Sequence, residues 1–238
     1  MVHEFIGKSL LITEGKIKIL AVADLHLGYD QALRESGVFV PGGGAFGQTM
    51  CDLKEIFDRV ERVDIVVLLG DVKHVFGTIL PDERREILNL FDYLLERSKE
   101  VVVIKGNHDT ILEPVAHEGG VKIKDYWVWE GYCFLHGDKA FEIIYENEIK
   151  TWVIGHAHPA IGLREKAKRE IYKCFLEGKY KGKKILIVPS FFNGFVGVDI
   201  CENELKLAWR FDVVKFKVYI VGTKLDVFSF GRVEEIKF

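Results

Sequence analysis

Lys16-Ile17-Lys18-Ile19-Leu20-Ala21-Val22-Ala23-Asp24-Leu25-His26 opens as an apolar run and closes on two side chains able to hold a cation. A short continuous apolar run reads as a strand covered on both faces, here over residues 16–23. Asp24 and His26 are two residues apart, so in an extended segment they share one face and reach one point. Four further segments repeat the plan. Gly70-Asp71 follows the apolar run Ile65 to Leu69, and Gly106-Asn107-His108-Asp109 follows Val101 to Ile104. Leu135-His136-Gly137 closes a run from Tyr132, and Gly155-His156-Ala157-His158 follows Trp152 to Ile154. Five of the 8 histidines lie inside these segments, a concentration for which packing supplies no reason.

Around these segments the first half alternates strand and helix. Phe46 to Glu61 carries Met50, Leu53, Ile56, Phe57 and Val60 at helical spacing, and Pro81-Asp82-Glu83 opens a second helix with acids in its first turn. Gly28 to Gly47, with Pro41-Gly42-Gly43-Gly44 at its centre, reads as a long loop. The second half reads as hairpins: Tyr126 to Trp129 with Tyr132 to Leu135, Glu170 to Leu176 with Lys183 to Val188, and Gly197 to Ile200 with Glu204 to Phe211. Two packed sheets with helices outside fit this order better than one doubly wound sheet. The tail from Val213 has strand-like pieces only.

At 238 residues and 48% hydrophobic, the chain fits one large α/β domain with a sizeable core. We expect a single domain over 1–238, with residues from about 195 onward completing the second sheet or forming a small appendage. The formal net charge of -3 argues against a general polyanion binder. Cys51, Cys133, Cys174 and Cys201 are scattered, with no CxxC pair, and read as reduced core residues. The N-terminal residues lack the pattern of a signal peptide, and no apolar run spans a bilayer, so the expectation is a cytoplasmic protein without membrane contact.

The chemistry follows from the donor set. Asp24, His26, Asp71, Asn107, His136, His156 and His158 supply seven oxygen or nitrogen ligands, enough for two adjacent ions. Two ions held about 3.5–4 Å apart need a bridging anion against their mutual repulsion. Asp71, after a strand and a glycine, is the natural bridge. Mixed oxygen and nitrogen ligation suits Mn, Fe, Co, Ni or Zn better than Mg alone, with Mn the expected ion. Without a thiolate, a closed structural zinc site is not expected. Taken singly, each motif has a plainer reading: Gly-Asp as a turn, Gly-Asn-His-Asp as an Asx-turn, His-x-His as two solvated rings. Their joint occurrence, in order and each after an apolar strand, decides for the site.

These residues resemble the calcineurin-like metallophosphoesterase superfamily, whose pattern is D-x-H, GD, GNH(D/E), H and GHxH; all five motifs stand within residues 24–158. The resemblance implies a four-layer α/β/β/α sandwich of two mixed sheets flanked by helices, with a dinuclear metal site at the C-terminal strand edges. It assigns one metal to Asp24, His26 and His158, a second to Asn107, His136 and His156, and Asp71 between them. It makes His108 the non-ligand histidine beside the leaving group, with Asp109 orienting it, and a metal-bridging hydroxide the attacking group. Asp-Leu-His-Leu-Gly-Tyr at 24–29 and Gly-Asp-Val-Lys-His at 70–74 look most like compact archaeal phosphoesterases related to repair nucleases and to DNA-ligase-associated phosphoesterases. The GDYVDRG motif of the Ser/Thr protein phosphatases is missing, and so is an arginine close after Asp109. About 80 residues follow His158, too few for the capping domain of the long repair nucleases.

The resemblance implies hydrolysis of phosphodiesters in nucleotides or short nucleic acids. Its alternatives are a phosphomonoesterase and a non-catalytic interaction module like the retromer-type subunits. A DNA-repair ATPase, helicase or ligase is the partner class it implies. His74 and Arg34 are candidate substrate contacts, and Lys73 is expected to face solvent. Residues 164–184 hold nine Lys or Arg against three Glu, read either as a phosphate track or, in preference, as a lysine-rich edge that discourages aggregation. Pro189 to Gly194 follows a strand and is a candidate to return to the metal face.

Overall fold

The computed structural model describes residues 2–40, 44–165 and 168–236. Its first sheet has six strands in chain order: β1 (Val2–Ile6), β2 (Ser9–Glu14), β3 (Ile17–Val22), β4 (Ile65–Leu68), β5 (Glu100–Ile104) and β6 (Lys122–Lys124). β1, β2 and β3 form an antiparallel meander, while β3 to β6 run parallel. Parallel neighbours need crossovers, and helices α1 (Tyr29–Glu35), α2 (Ala45–Val60), α3 (Pro81–Leu95) and α4 (Glu113–Glu118) supply them. α2 buries Leu53, Ile56, Phe57 and Val60 on one stripe. Each such side chain contributes about 1.5–3 kcal/mol when fully withdrawn from water.

The second sheet comprises β7 (Tyr126–Trp129), β8 (Tyr132–Leu135), β9 (Thr151–Ile154), β10 (Pro159–Glu165), β11 (Lys168–Tyr180), β12 (Lys183–Ile187) and β13 (Val198–Asp199), with β14 (Lys217–Val221) and β15 (Val227–Arg232) joined through β11. Its spatial order is β13-β10-β11-β12-β9-β8-β7. β8, β9 and β12 are parallel to one another. Glu130-Gly131 and Lys181-Gly182 turn two of its hairpins with φ of 44° and 79°, and 47° and 78°. Two successive left-handed residues match the twist of the strands they join.

Alternation along the strands sorts the apolar side chains into three cores, and so the chain into four layers. Leu20, Val22, Val66 and Leu68 face the helices with Leu53, Ile87 and Phe91. Their neighbours Ile19, Ala21, Val67 and Leu69 face the other sheet, meeting Phe134, Val153, Phe175 and Leu186. Cys133, Trp152, Leu176 and Ile187 point to the far side, under Ile144, Trp209, Phe216 and Val233. That outermost cover is made of short 3-10 turns at Glu142–Tyr145, Val213–Lys215 and Val233–Glu235, with irregular chain between.

Several local expectations are corrected. The segment from Gly28 to Gly47 is not all loop, since α1 occupies Tyr29–Glu35; its residues 41–43 lie outside those described. Glu204 to Phe211 forms no strand: its alternating Leu205, Leu207 and Phe211 pack on the outer core from irregular backbone. β13 pairs with β10 in parallel instead of turning back on itself. Cys51 is exposed on α2, not in the core. Lys73 is fully buried, and its ammonium donates to the Val75 carbonyl.

Candidate metal centre

All six central parallel strands bring their C-terminal ends to one edge of the sandwich. β3 delivers Asp24 and His26, β4 delivers Asp71, and β5 delivers Asn107 and His108. From the other sheet β8 delivers His136, β9 delivers His156 and His158, and β12 delivers Ser190. A parallel bridge between Ala23 and Ser190 ties the two sheets there.

The polar atoms converge closely. His136 Nε2 lies 3.1 Å from Asn107 Oδ1 and 3.5 Å from Asp71 Oδ2. His136 Nδ1 donates to the Leu69 carbonyl at 2.7 Å, so Nε2 is the nitrogen that faces Asp71. His158 Nε2 lies 3.5 Å from Asp24 Oδ2. Ligand atoms of Asp71, His136 and His156 all fall within 4.8 Å of one another, as do ring nitrogens of His26, His74 and His108.

The backbone is bent to achieve this. Asp24, His26, Asp71, His156 and His158 have φ of 54°, 48°, 48°, 62° and 44°. They are half of the ten non-glycine residues with positive φ among those described, so left-handed strain is concentrated here. It costs about 1–2 kcal/mol per residue, and strain on this scale persists at functional sites. Two glycines permit the approach. A Cβ on Gly70 would stand 2.4 Å from His136 Nδ1, and one on Gly106 would stand 2.3 Å from the amide nitrogen of Asp71.

Electrostatics distinguishes the histidines. Burial pushes His26 down to about 3, so it is neutral and its ring nitrogens are available as ligands. Both of those nitrogens are buried and have no hydrogen-bond partner. An orphaned buried imidazole costs about 1–3 kcal/mol unless something satisfies it. Burial also opposes charge on His136, but its hydrogen bond to Asp71 and the charges of Asp24 and Asp71 lift it to about 9. For Asp24 and Asp71, burial works toward the neutral acid and is outweighed by neighbouring histidines, chiefly His158 and His136 respectively; both stay below the ordinary carboxylate range. Burial and the charge of His136 lower His156. Two ionised carboxylates, an unsatisfied neutral imidazole and a neutral amide make a donor set that fits divalent ions.

Other expected site residues fall differently. His108 Nδ1 lies 2.6 Å from the His74 carbonyl, which orients its ring. Asp109 does not perform that task. Its two carboxylate oxygens accept from the amides of Gly106 at 2.9 Å and Lys73 at 3.2 Å, bracing the loop while fully buried. Burial, with the charge of Asp71, raises it to about 6. His74 enters the cluster, its ring 5.5 Å from His26 and 5.8 Å from His108. Arg34 does not; its guanidinium pairs with Asp82 at 2.8 Å on the surface between α1 and α3.

The segment Pro189 to Gly194 does return to the metal face: Ser190 Oγ donates to the Asp24 carbonyl at 2.9 Å. Sequence reading missed other contributors. The buried Glu83 carboxylate accepts from the amides of His74, Val75 and Leu80 at 2.8, 3.0 and 3.0 Å, pinning the loop before α3. A carboxyl three residues beyond a helix entry is a capping signal, but its reach to His74 carries no sequence mark. Phe76 and Phe195 cover His108 and His158. Three of the basic stretch's nine residues pair with acids: Arg169 with Asp199 and Glu202, Lys168 with Glu170, and Lys184 with Glu177. Lys166 lies outside the described residues.

Among the described residues no helix is long and apolar enough to cross a membrane. The crystal structure of the Pseudomonas putida nuclease MPE is similar, with a TM-score of 0.55 at 18% identity, covering 96% of this chain and 100% of that one. The E. coli phosphoesterase YfcE gives 0.42 at 14%, covering 86% and 88%. Wild-type Vps29 from Entamoeba histolytica complexed with zinc gives 0.40 at 16%, covering 89% and 96%. No curated protein matches significantly. Residues 17–130 match the family described as calcineurin-like phosphoesterase, a span that holds Asp24, His26, Asp71, Asn107 and His108. Over that span the chain is similar to the calcineurin-like phosphoesterases, hydrolases that act on phosphoester bonds with divalent metal ions.

Proposed function

We propose that this chain is a phosphodiesterase acting on nucleotides or short nucleic acids with two divalent ions, Mn being the preferred metal. The observation that carries the reading is the convergence of six strand ends on a cluster whose central imidazole, His26, has two unsatisfied buried nitrogens. Asp24, His26 and His158 would hold one ion, Asn107, His136 and His156 the other, and Asp71 would touch both. Bound there, divalent ions would polarise the phosphoryl oxygen and activate water.

The protein's own groups supply the rest. His108 sits beside the cluster with its Nε2 3.9 Å from Asp71 Oδ2. The His74 carbonyl accepts from Nδ1 and sets the ring, so a doubly protonated His108 would have its Nε2–H left to donate to a departing alkoxide. Ser190 and the amide of His156 fix Asp24, the latter donating to both carboxylate oxygens at 3.1 and 3.0 Å. The chain's net charge of -3 favours small or short substrates over long duplexes.

The test is hydrolysis of bis(p-nitrophenyl) phosphate and p-nitrophenyl phosphate by Mn-loaded protein. The diester should turn over faster. His108→Ala should keep its metal and lose about 100-fold or more in rate. Metal-loaded protein inert toward both esters would refute the reading, and a preference for the monoester would favour a phosphomonoesterase.

A further inference from the structure

We propose that Phe76 and Phe195 are stacking platforms for the two bases that flank the scissile phosphate, so that the preferred substrate joins two nucleosides with unpaired bases. The proposal rests on the phosphodiesterase reading and names what that site recognises.

The rings form a continuous chain across the cluster. Phe76 lies over His108 with centroids 3.8 Å apart and planes tilted by 35°. His108 meets His26 at 5.0 Å, and His26 meets Phe195 at 6.0 Å. Those three steps place the two phenyl rings no more than about 15 Å apart. Phe195 also stacks on His158 at 5.0 Å and 23°. Each phenyl thus rests against a histidine of the cluster, yet Phe76 is 59% and Phe195 39% exposed. An exposed phenylalanine alone is ordinary. Two of them, each resting on a different histidine of one cluster, fit a ligand with two aromatic groups and a phosphate between.

Both platforms stand on irregular chain that buried charge holds in place. The Glu83 carboxylate anchors the loop of Phe76 through three amides. Lys173 donates to the carbonyls of Ser190 and Phe192, and Lys8 donates to the Phe191 carbonyl and Asn193 Oδ1, both at 2.8 Å, just before Phe195. Fixed aromatic faces lose little freedom on binding, and every base offers a π-face to them. Paired bases in a duplex are stacked already and would have to be splayed apart.

The experiment is a cycle between ring and base. Thymidylyl-thymidine, the two analogues lacking one base each, and the analogue lacking both are hydrolysed by Mn-loaded wild-type protein, Phe76→Leu and Phe195→Leu. In the wild type each base should raise kcat/KM by about 5- to 150-fold, the range for stacking one base on one ring. Phe76→Leu should erase the effect of the base on the leaving side, beside His108, and Phe195→Leu the effect of the other. A variant that merely loosened the site would slow all four substrates alike and leave these ratios intact. Ratios unchanged in both variants, or near one in the wild type, overturn the proposal and leave the phosphodiesterase reading standing. A 2-aminopurine dinucleotide supplies a second readout, since stacking quenches its fluorescence. Quenching lost in both variants, with no hydrolysis by any form, would retain the platforms and remove the phosphodiesterase reading.

Discussion

Glu177 and Asp71 are both withdrawn acids that bridge the two sheets to a histidine, and they are completed in opposite ways. Glu177, on β11, faces His3 of β1 at 3.6 Å. Lys184 adds a fixed cation at 2.9 Å and the Tyr219 hydroxyl a hydrogen bond at 3.1 Å, and all four residues sit on regular strands. Asp71 faces His136 at 3.5 Å from a left-handed backbone. The ion-pair partners of Asp71 and Asp24 among the described residues are all histidines. A closed network satisfies its charges from within the chain. The metal face leaves two carboxylates and an orphaned imidazole for a cation to complete, and accepts strain to do so.

The largest effect should come from exchanging the two acids' neutral isosteres. Asp71→Asn should lower metal affinity by more than the about 10–100-fold that outer partners cost, and abolish hydrolysis. Glu177→Gln should leave metal content at the wild-type value. Elemental analysis after dialysis against limiting Mn reads both, and equal metal contents would break the distinction. Next in size is metal removal. Chelation should lower the midpoint of thermal unfolding, and Mn at a hundredfold excess over Kd should restore about 2.7 kcal/mol. Glu177→Gln should shift chelated and loaded protein equally, while Asp71→Asn should remove the difference between them.

The pH dependence sharpens the comparison from the other side. Hydrogen bonds from His3, Lys184 and Tyr219, against burial, bring Glu177 from 4.5 to about 2. Its folded pKa is depressed, so the folded state holds fewer protons than the unfolded between those values. Stability from this group is therefore complete above pH 4.5 and lost as pH falls toward 2. The loss should be about 1–3 kcal/mol. Acid titration of chelated protein, followed by circular dichroism, should show a shallower acid limb in Glu177→Gln. An unchanged limb would remove Glu177 as a closed network.

What the sequence made legible was whatever is local to a strand end. Each ligand directly follows an apolar run, so Asp24, Asp71, Asn107, His136 and His156 could be read one segment at a time, and the sandwich follows from the order of those runs. What stayed hidden depends on distant chain. Lys73 looks solvent-facing until the Val75 carbonyl and the surrounding loop enclose it. Asp109 sits beside His108 in sequence, yet its carboxylate turns back to Gly106 and Lys73. Glu204 to Phe211 alternates like a strand because one face is covered, but alternation does not supply a partner ladder. The hairpin of β1 and β2, and β10 after His158, were missed because their short mixed runs take their pairing from neighbours.

The smallest effect separates the two acids by their support. Ser190 has no motif around it, yet its Oγ donates to the Asp24 carbonyl at 2.9 Å and accepts from the Phe192 amide at 3.2 Å. It forms an isolated parallel bridge with Ala23, so it fixes where Asp24 turns into its left-handed conformation. The Phe192 amide also donates to the Asp24 carbonyl at 3.2 Å, so Ser190→Ala removes one of two partners from each group and should cost about 1 kcal/mol of stability. If support of this kind sets ligand position, Mn affinity should also fall by about tenfold. Tyr219→Phe removes one hydrogen bond from the closed network and should cost a similar stability with no change in Mn affinity. Equal effects of both variants on Mn affinity would mean that the two junctions are coupled through the sheets, and the contrast between a completed and an uncompleted acid would then fail.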